Sequence, residues 1–288
     1  MIQSVFIFGY GYTANFFATM LTSRGFKVYG TSRDSKTRQL AREQGVTLCD
    51  FDNDAIVQLL NKSQAILITI PPDEKGEDLV FARFQSVIKT KIDLNWLGYL
   101  STTGVYGDHN GDWVTEESDC INPGDRAQQR IHAERKWLSL FINHNIPVHI
   151  FRLAGIYGPD RNNLIRIQSK DYFSVFKQGQ YFSRIHVEDI ATVLLTSLLN
   201  PKAGQIYNLS DDCPANTCDV DSYTANLLGI KIPKAIPYEQ ADLSPMAKEF
   251  YSSNKRVSNH KIKSDLRVKL LYPSYQEGLI SILKKQNI

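Results

Sequence analysis

The stretch Val5-Phe6-Ile7-Phe8-Gly9-Tyr10-Gly11-Tyr12-Thr13-Ala14 decides the fold. An apolar run, Val5–Phe8, breaks at a glycine. A helix-like segment, Thr13–Arg24, follows with Phe16, Phe17, Met20 and Leu21 at helical spacing. A strand that leaves through a glycine-rich turn into a helix offers backbone N–H groups to a pyrophosphate, and the helix N-terminus stabilises its charge. Here Gly9 makes the tight turn, Gly11 allows close approach and Ala14 allows close helix–strand packing, with Tyr12 and Thr13 completing the loop. The competing reading is a tight turn with no ligand. The position of the loop, between a strand and a helix at the start of a βαβ unit, favours a dinucleotide.

Further apolar runs follow at Lys27–Thr31, Gly45–Cys49, Ala65–Ile70, Trp96–Ser101 and Pro147–Leu153, separated by amphipathic stretches. Strands alternating with helices imply a parallel sheet, because parallel neighbours cannot be joined by a tight hairpin. The runs are apolar on both faces, as doubly covered strands must be. The expected class is α/β, a Rossmann-type doubly wound parallel sheet. After Gly158 the rhythm changes. Residues 159–185 are polar and loop-like, His186–Leu199 reads as a helix and Gln205–Leu209 as a strand. From Asp211 onward Pro, Asn and Lys are frequent, with short helices expected around Asp219–Leu228 and Tyr275–Lys285. The division that follows is a Rossmann domain over 1–158, to which 186–209 returns, and a smaller substrate lobe made of 159–185 and 210–288.

The second strand ends in Thr31-Ser32-Arg33, where an NAD enzyme usually carries an acid for the ribose 2′-hydroxyl. A guanidinium holds a 2′-phosphate by charge-assisted hydrogen bonds, so Ser32 and Arg33 favour NADP, with NAD as the alternative and a plain surface charge as the bland reading of Arg33. Asp50 and Phe51 are expected to flank the adenine, and Thr69, Ile70 and Pro71 to line the cofactor groove.

Hydrophobic residues make up 42% of the 288 and charged residues 22%, which excludes disorder of the whole chain. No run approaches the ~18 apolar residues of a membrane helix, and the N-terminus lacks the basic head of a signal peptide. The four cysteines form no CxxC pair and read as reduced thiols of a cytoplasmic protein. The six histidines offer no metal-binding pair, so no metal is expected. Net charge is +3, with nine Lys/Arg against three Asp/Glu in residues 246–288. That basic tail lacks interleaved stacking aromatics, which disfavours nucleic acid and favours a solvated face or a phosphate or carboxylate pocket.

The fifth run and its exit, Tyr99-Leu100-Ser101-Thr102-Thr103-Gly104-Val105-Tyr106-Gly107, resemble the Ser/Thr-plus-VYG signature of the extended short-chain dehydrogenase/reductases, the NAD-dependent epimerase/dehydratase group. Phe151-Arg152-Leu153-Ala154-Gly155-Ile156-Tyr157-Gly158-Pro159, Arg184-Ile185-His186-Val187-Glu188-Asp189-Ile190-Ala191 and Tyr207-Asn208-Leu209 match in the same order. The resemblance implies a cofactor role for Leu153 and Gly155 and a small polar substrate, such as a sugar nucleotide. Two departures stand out. The loop is G-x-G-x-x-A where these enzymes carry G-x-x-G-x-x-G. The window for their catalytic Y-x-x-x-K holds Arg126-Ala127-Gln128-Gln129-Arg130, with arginine at both positions. The sequence does contain Tyr251-Ser252-Ser253-Asn254-Lys255, about 150 residues after Thr102 and far from where the sheet would present it, which reads as coincidence.

Arginine does not deprotonate near neutral pH and cannot replace the tyrosine as a proton donor. It can hold a carboxylate or phosphate, so Arg126 and Arg130, one helical turn apart, are expected on one face. Arg130 either holds the nicotinamide ribose or forms a surface pair with Glu134. Thr102 keeps the substrate-orienting hydroxyl. Thr103, Tyr106, Arg184 and His186 are the expected substrate contacts, Tyr106 as a surrogate acid or a packing residue, His186 as a titrating group or a cap. The expected function is an NADP-binding oxidoreductase or epimerase-like enzyme with a non-standard active site. The rival is a non-catalytic NADP-binding sensor or scaffold, and a homodimer is an open alternative.

Overall fold

A computed structural model of the chain describes residues 2–286. The first five strands are β1 (Ser4–Phe8), β2 (Lys27–Thr31), β3 (Val46–Cys49), β4 (Ala65–Ile68) and β5 (Trp96–Thr102). With Val148–Leu153 and Ile206–Leu209 they form one seven-stranded sheet. Its spatial order is Ile206–Leu209, Val148–Leu153, β5, β4, β1, β2, β3, and every neighbouring pair is parallel. The order reverses between β1 and β4, so the loops after these two strands border the crevice where such sheets bind ligands.

The apolar runs are explained by coverage on both sides. In β1, Val5 and Ile7 join a cluster with Phe17 and Leu21 of helix α1 (Tyr12–Thr22) and with Ile190 and Leu194 of the helix Val187–Leu199. Phe6 and Phe8 point the other way, into a cluster with Ile56, Phe84 and Trp137. Alternation along one strand thus feeds two cores, which is the α/β arrangement expected from the sequence.

The polar stretch 159–185 is more ordered than its composition implies. Ser174–Phe176 pairs with Ala235–Pro237, and Arg184–His186 pairs with Gly155–Tyr157. The C-terminal residues return repeatedly to the sheet domain. Arg256–Val257 pairs with Trp113–Val114, and the buried Asp189 carboxylate accepts the N–H groups of Leu271 (2.7 Å) and Tyr272 (3.0 Å). Removing residues 211–288 would leave that carboxylate without its donors and would uncover Tyr157 and Leu164, which pack against Val220, Leu279 and Ile282 of the removed segment. The truncated chain is therefore expected to be insoluble or unstable, read as the soluble fraction on expression. A soluble fragment with unchanged nucleotide affinity would show the tail to be an independent module. No described helix is long and apolar enough to cross a membrane.

Candidate active site

The loop after β1 is pinned by its neighbours. Gly9 has φ +90°, and a Cβ there would lie 2.7 Å from both Ile70 Cγ1 and Thr69 Oγ1, so only glycine fits. Thr31 Oγ1 accepts the Gly9 N–H at 3.0 Å, and Thr69 Oγ1 donates to the Gly9 carbonyl at 2.5 Å. Gly11 caps α1 without a side-chain partner, no acid lies in the first turn, and a Cβ at Gly11 would meet nothing within 4 Å. The first N–H groups of α1 therefore face open space, which fits the demands of a diphosphate. That space is a cleft of about 520 Å³ that runs past Gly11–Ala14 and Thr69 to Thr102 and Thr103, with Leu153 and Gly155 along its side.

The residues expected around the adenosine end are arranged unevenly. Arg33 is exposed just past β2. Behind it, Arg38 bonds the Ser32 carbonyl at 2.6 Å and the Asp50 carboxylate at 3.0 Å, so Asp50 is already paired. Arg38 escaped the sequence reading because it lies inside a helix rather than at the strand end. Phe51 packs edge-on to Phe84 beneath the Arg83 guanidinium, while Ile70 is half-buried against Gly9 and Pro71 is exposed. Tyr12 lines the cleft, and its hydroxyl donates to the Pro159 carbonyl at 2.7 Å.

At the other end of the cleft Thr102 closes β5 and caps the tight turn Thr103–Tyr106. Its Oγ1 accepts the Gly104 N–H at 3.1 Å, which leaves its own hydrogen free to donate. The neighbouring Ser101 Oγ is buried with no partner among the described residues. Arg130, on helix Asp125–His144, lines the cleft and bonds the Leu100 carbonyl at 2.7 Å. It does not pair with Glu134. That carboxylate instead holds Arg152 in a buried bidentate pair, with a shortest contact of 2.7 Å. Arg184 also lines the cleft, with its Nη1 bonded to the Phe182 and Ala215 carbonyls. Beyond Gly155 a second cavity of about 290 Å³ brings Arg161, Arg166 and Arg184 together.

Three expectations are corrected by the geometry. Arg126 is exposed on its helix and does not share the cleft-lining position of Arg130. Tyr106 is fully buried, with its hydroxyl bonded to Asn208 Oδ1 at 2.6 Å and its ring under the Arg152 guanidinium. Burial pushes its pKa up to about 12, so it packs and is no surrogate acid. His186 is a buried cap: Nδ1 accepts the Glu188 N–H, and burial lowers its pKa to about 4, which keeps it neutral. Among the described residues no His, Cys, Asp and Glu side chains gather as a metal group, and the four cysteines are free.

The sequence reading also misplaced one residue. Lys255 lines the same cleft as Thr102 and Arg130, whereas Tyr251 turns away to bond Thr217 Oγ1 at 2.8 Å. The Y-x-x-x-K spacing is accidental, but its lysine is brought to the site by tertiary contacts that no local pattern signals.

No family model matches the chain. A functionally unknown conserved protein from Silicibacter pomeroyi DSS superposes with a TM-score of 0.92 at 39% identity, covering 99% of this chain and 100% of that one. The two belong to one family. UDP-glucuronic acid 4-epimerase from Bacillus cereus, in complex with NAD, superposes with a TM-score of 0.78 at 17% identity over 98% and 99% of the two chains. This chain shares the fold of that epimerase. Protein YeeZ of Escherichia coli K12 is 26% identical over 253 residues, 81% of this chain and 86% of its own length. The seven-stranded parallel sheet and the glycine loop fall where the sequence placed them.

Proposed function

We propose that the chain is an NADP-dependent oxidoreductase or epimerase-like enzyme acting on a small polar, anionic substrate such as a sugar nucleotide. The observation that carries this reading is the uncapped N-terminus of α1 at Gly11, opening into the same cleft as the Thr102 hydroxyl. Gly11, Thr13 and Ala14 would hold the dinucleotide diphosphate, Arg33 the 2′-phosphate, and Arg130 a ribose hydroxyl. When bound, the nicotinamide supplies hydride chemistry. Thr102 orients the substrate oxygen, and the arginines at 161, 166 and 184 attract its negative end. The Bacillus cereus relative by fold is a UDP-glucuronic acid epimerase bound to NAD, which supports a nucleotide-linked substrate here. The exposure of Arg126, at the position where the family carries its tyrosine, favours the sensor reading instead.

Fluorescence titration with NADPH and NADH tests the cofactor. One charge-assisted hydrogen bond, about 1.5–3 kcal/mol, corresponds to tighter NADPH binding by roughly ten- to hundred-fold. Arg33→Asp is expected to remove that preference. Equal affinities in the native protein, or a preference that survives Arg33→Asp, would overturn the assignment to NADP.

A further inference from the structure

We propose that Lys255 is the proton-transferring group of the cleft, with its ammonium presented to the substrate oxygen in place of the absent tyrosine. The proposal rests on the reading that the cleft holds a nicotinamide dinucleotide.

Lys255, from the C-terminal stretch, lines the same cavity as Thr102 at the end of β5. Its Nζ donates to the Gly107 carbonyl at 2.8 Å and to Ser253 Oγ at 3.2 Å. Both partners are neutral oxygens, and an ammonium has a third hydrogen to give. The residue is held in place by Asn254 beside it. The Asn254 N–H donates to Asp108 at 2.7 Å, and its carbonyl accepts the N–H groups of His109 and Gly111. Its side chain accepts from the Tyr181 N–H at 2.9 Å and donates to the Gly179 carbonyl at 2.8 Å. One residue thus joins three loops and fixes where the next side chain starts. Such preorganisation is what a catalytic acid needs and what a solvated surface lysine lacks.

The chemistry is suited to the task. Burial lowers the Lys255 pKa to about 8, with Asp108 acting in the opposite direction. The other charged groups lining this cavity are Arg130 of the long helix, Arg161 and Arg184. An acid that titrates near the working pH transfers its proton most effectively. Reduction of a carbonyl here requires a hydride, from a reduced nicotinamide, and one proton. The N–H bond of Lys255 breaks, an O–H bond forms on the substrate, and the neutral amine regains its proton from water.

The test uses the full-length protein. Lysines are acetylated with trace acetic anhydride between pH 6 and 10, with and without NADP+, and Lys255 is followed by peptide mass spectrometry. Its reactivity is expected to reach half-maximum near pH 8, against about 10.4 for an unperturbed lysine. NADP+ at ten times its Kd is expected to slow its labelling by about tenfold. Nucleotide affinity is titrated on the same preparation. If neither NADP+ nor NAD+ binds, the cofactor reading fails and takes this proposal with it. If nucleotide binds but Lys255 titrates as an ordinary lysine, or goes unshielded, the assignment of Lys255 alone is overturned.

Discussion

Gly11→Val is expected to weaken dinucleotide binding by about 100-fold or more, because the new side chain fills the space before the first turn of α1 and costs the diphosphate two or more charge-assisted hydrogen bonds. The fold should tolerate the change. Gly11 has φ −103°, which valine adopts, and no protein atom lies within 4 Å of the added Cβ. Loss of a favourable cap costs about 1 kcal/mol. Thermal unfolding followed by circular dichroism, run beside nucleotide titration, separates the two effects. Gly9→Val offers no such separation, since its φ of +90° and the 2.7 Å approach of Thr69 and Ile70 would disturb the loop itself. Full nucleotide affinity in Gly11→Val would remove the observation on which the proposed function stands.

Glu134→Ala is expected to destabilise the protein by about 3–5 kcal/mol, because it leaves the Arg152 guanidinium buried without its carboxylate. The two side chains are 4% and 8% exposed, so water cannot take over the role of the missing partner. For a chain of this size the melting temperature should fall by roughly 10 °C. Replacing both residues, as Glu134→Leu with Arg152→Met, is expected to recover much of the loss, since a buried pair is worth little more than an apolar pair of similar volume. A fall of less than about 2 °C for Glu134→Ala alone would show that the guanidinium finds another partner, with Tyr106 nearest to hand.

What could be read from the sequence divides by the range of the interactions involved. The strand–loop–helix at Val5–Ala14 is specified by neighbours in sequence, and the glycines have the backbone angles and clearances that the motif demands. The six apolar runs were legible because doubly covered strands leave an unbroken hydrophobic signature. Their ends were less so: Ala65–Ile70 stops at Ile68 because Thr69 turns to serve Gly9. Roles that depend on where a polar tip points were the least legible. Tyr106, His186 and Lys255 sit in stretches that look equally suitable, yet two are locked into the interior and the third reaches the cleft. The difference lies in partners such as Asn208, Glu188 and Gly107, of which Asn208 and Gly107 are 102 and 148 residues distant from Tyr106 and Lys255.

The all-parallel order of the sheet bears on how the molecule comes into being. No two neighbouring strands share a hairpin, so every pairing must close a long loop, and folding is expected to be slow relative to proteins rich in local contacts. On the ribosome the glycine loop and β1, β2 and β3 emerge before the later strands and can pair among themselves. The stretch bearing Lys255 follows some 150 residues behind Thr102, so its bond to Gly107 forms long after the glycine loop has been made. The glycine loop is thus made well before both sides of the cleft exist. A group that must touch both sides has nothing to hold it until residue 255 has been added.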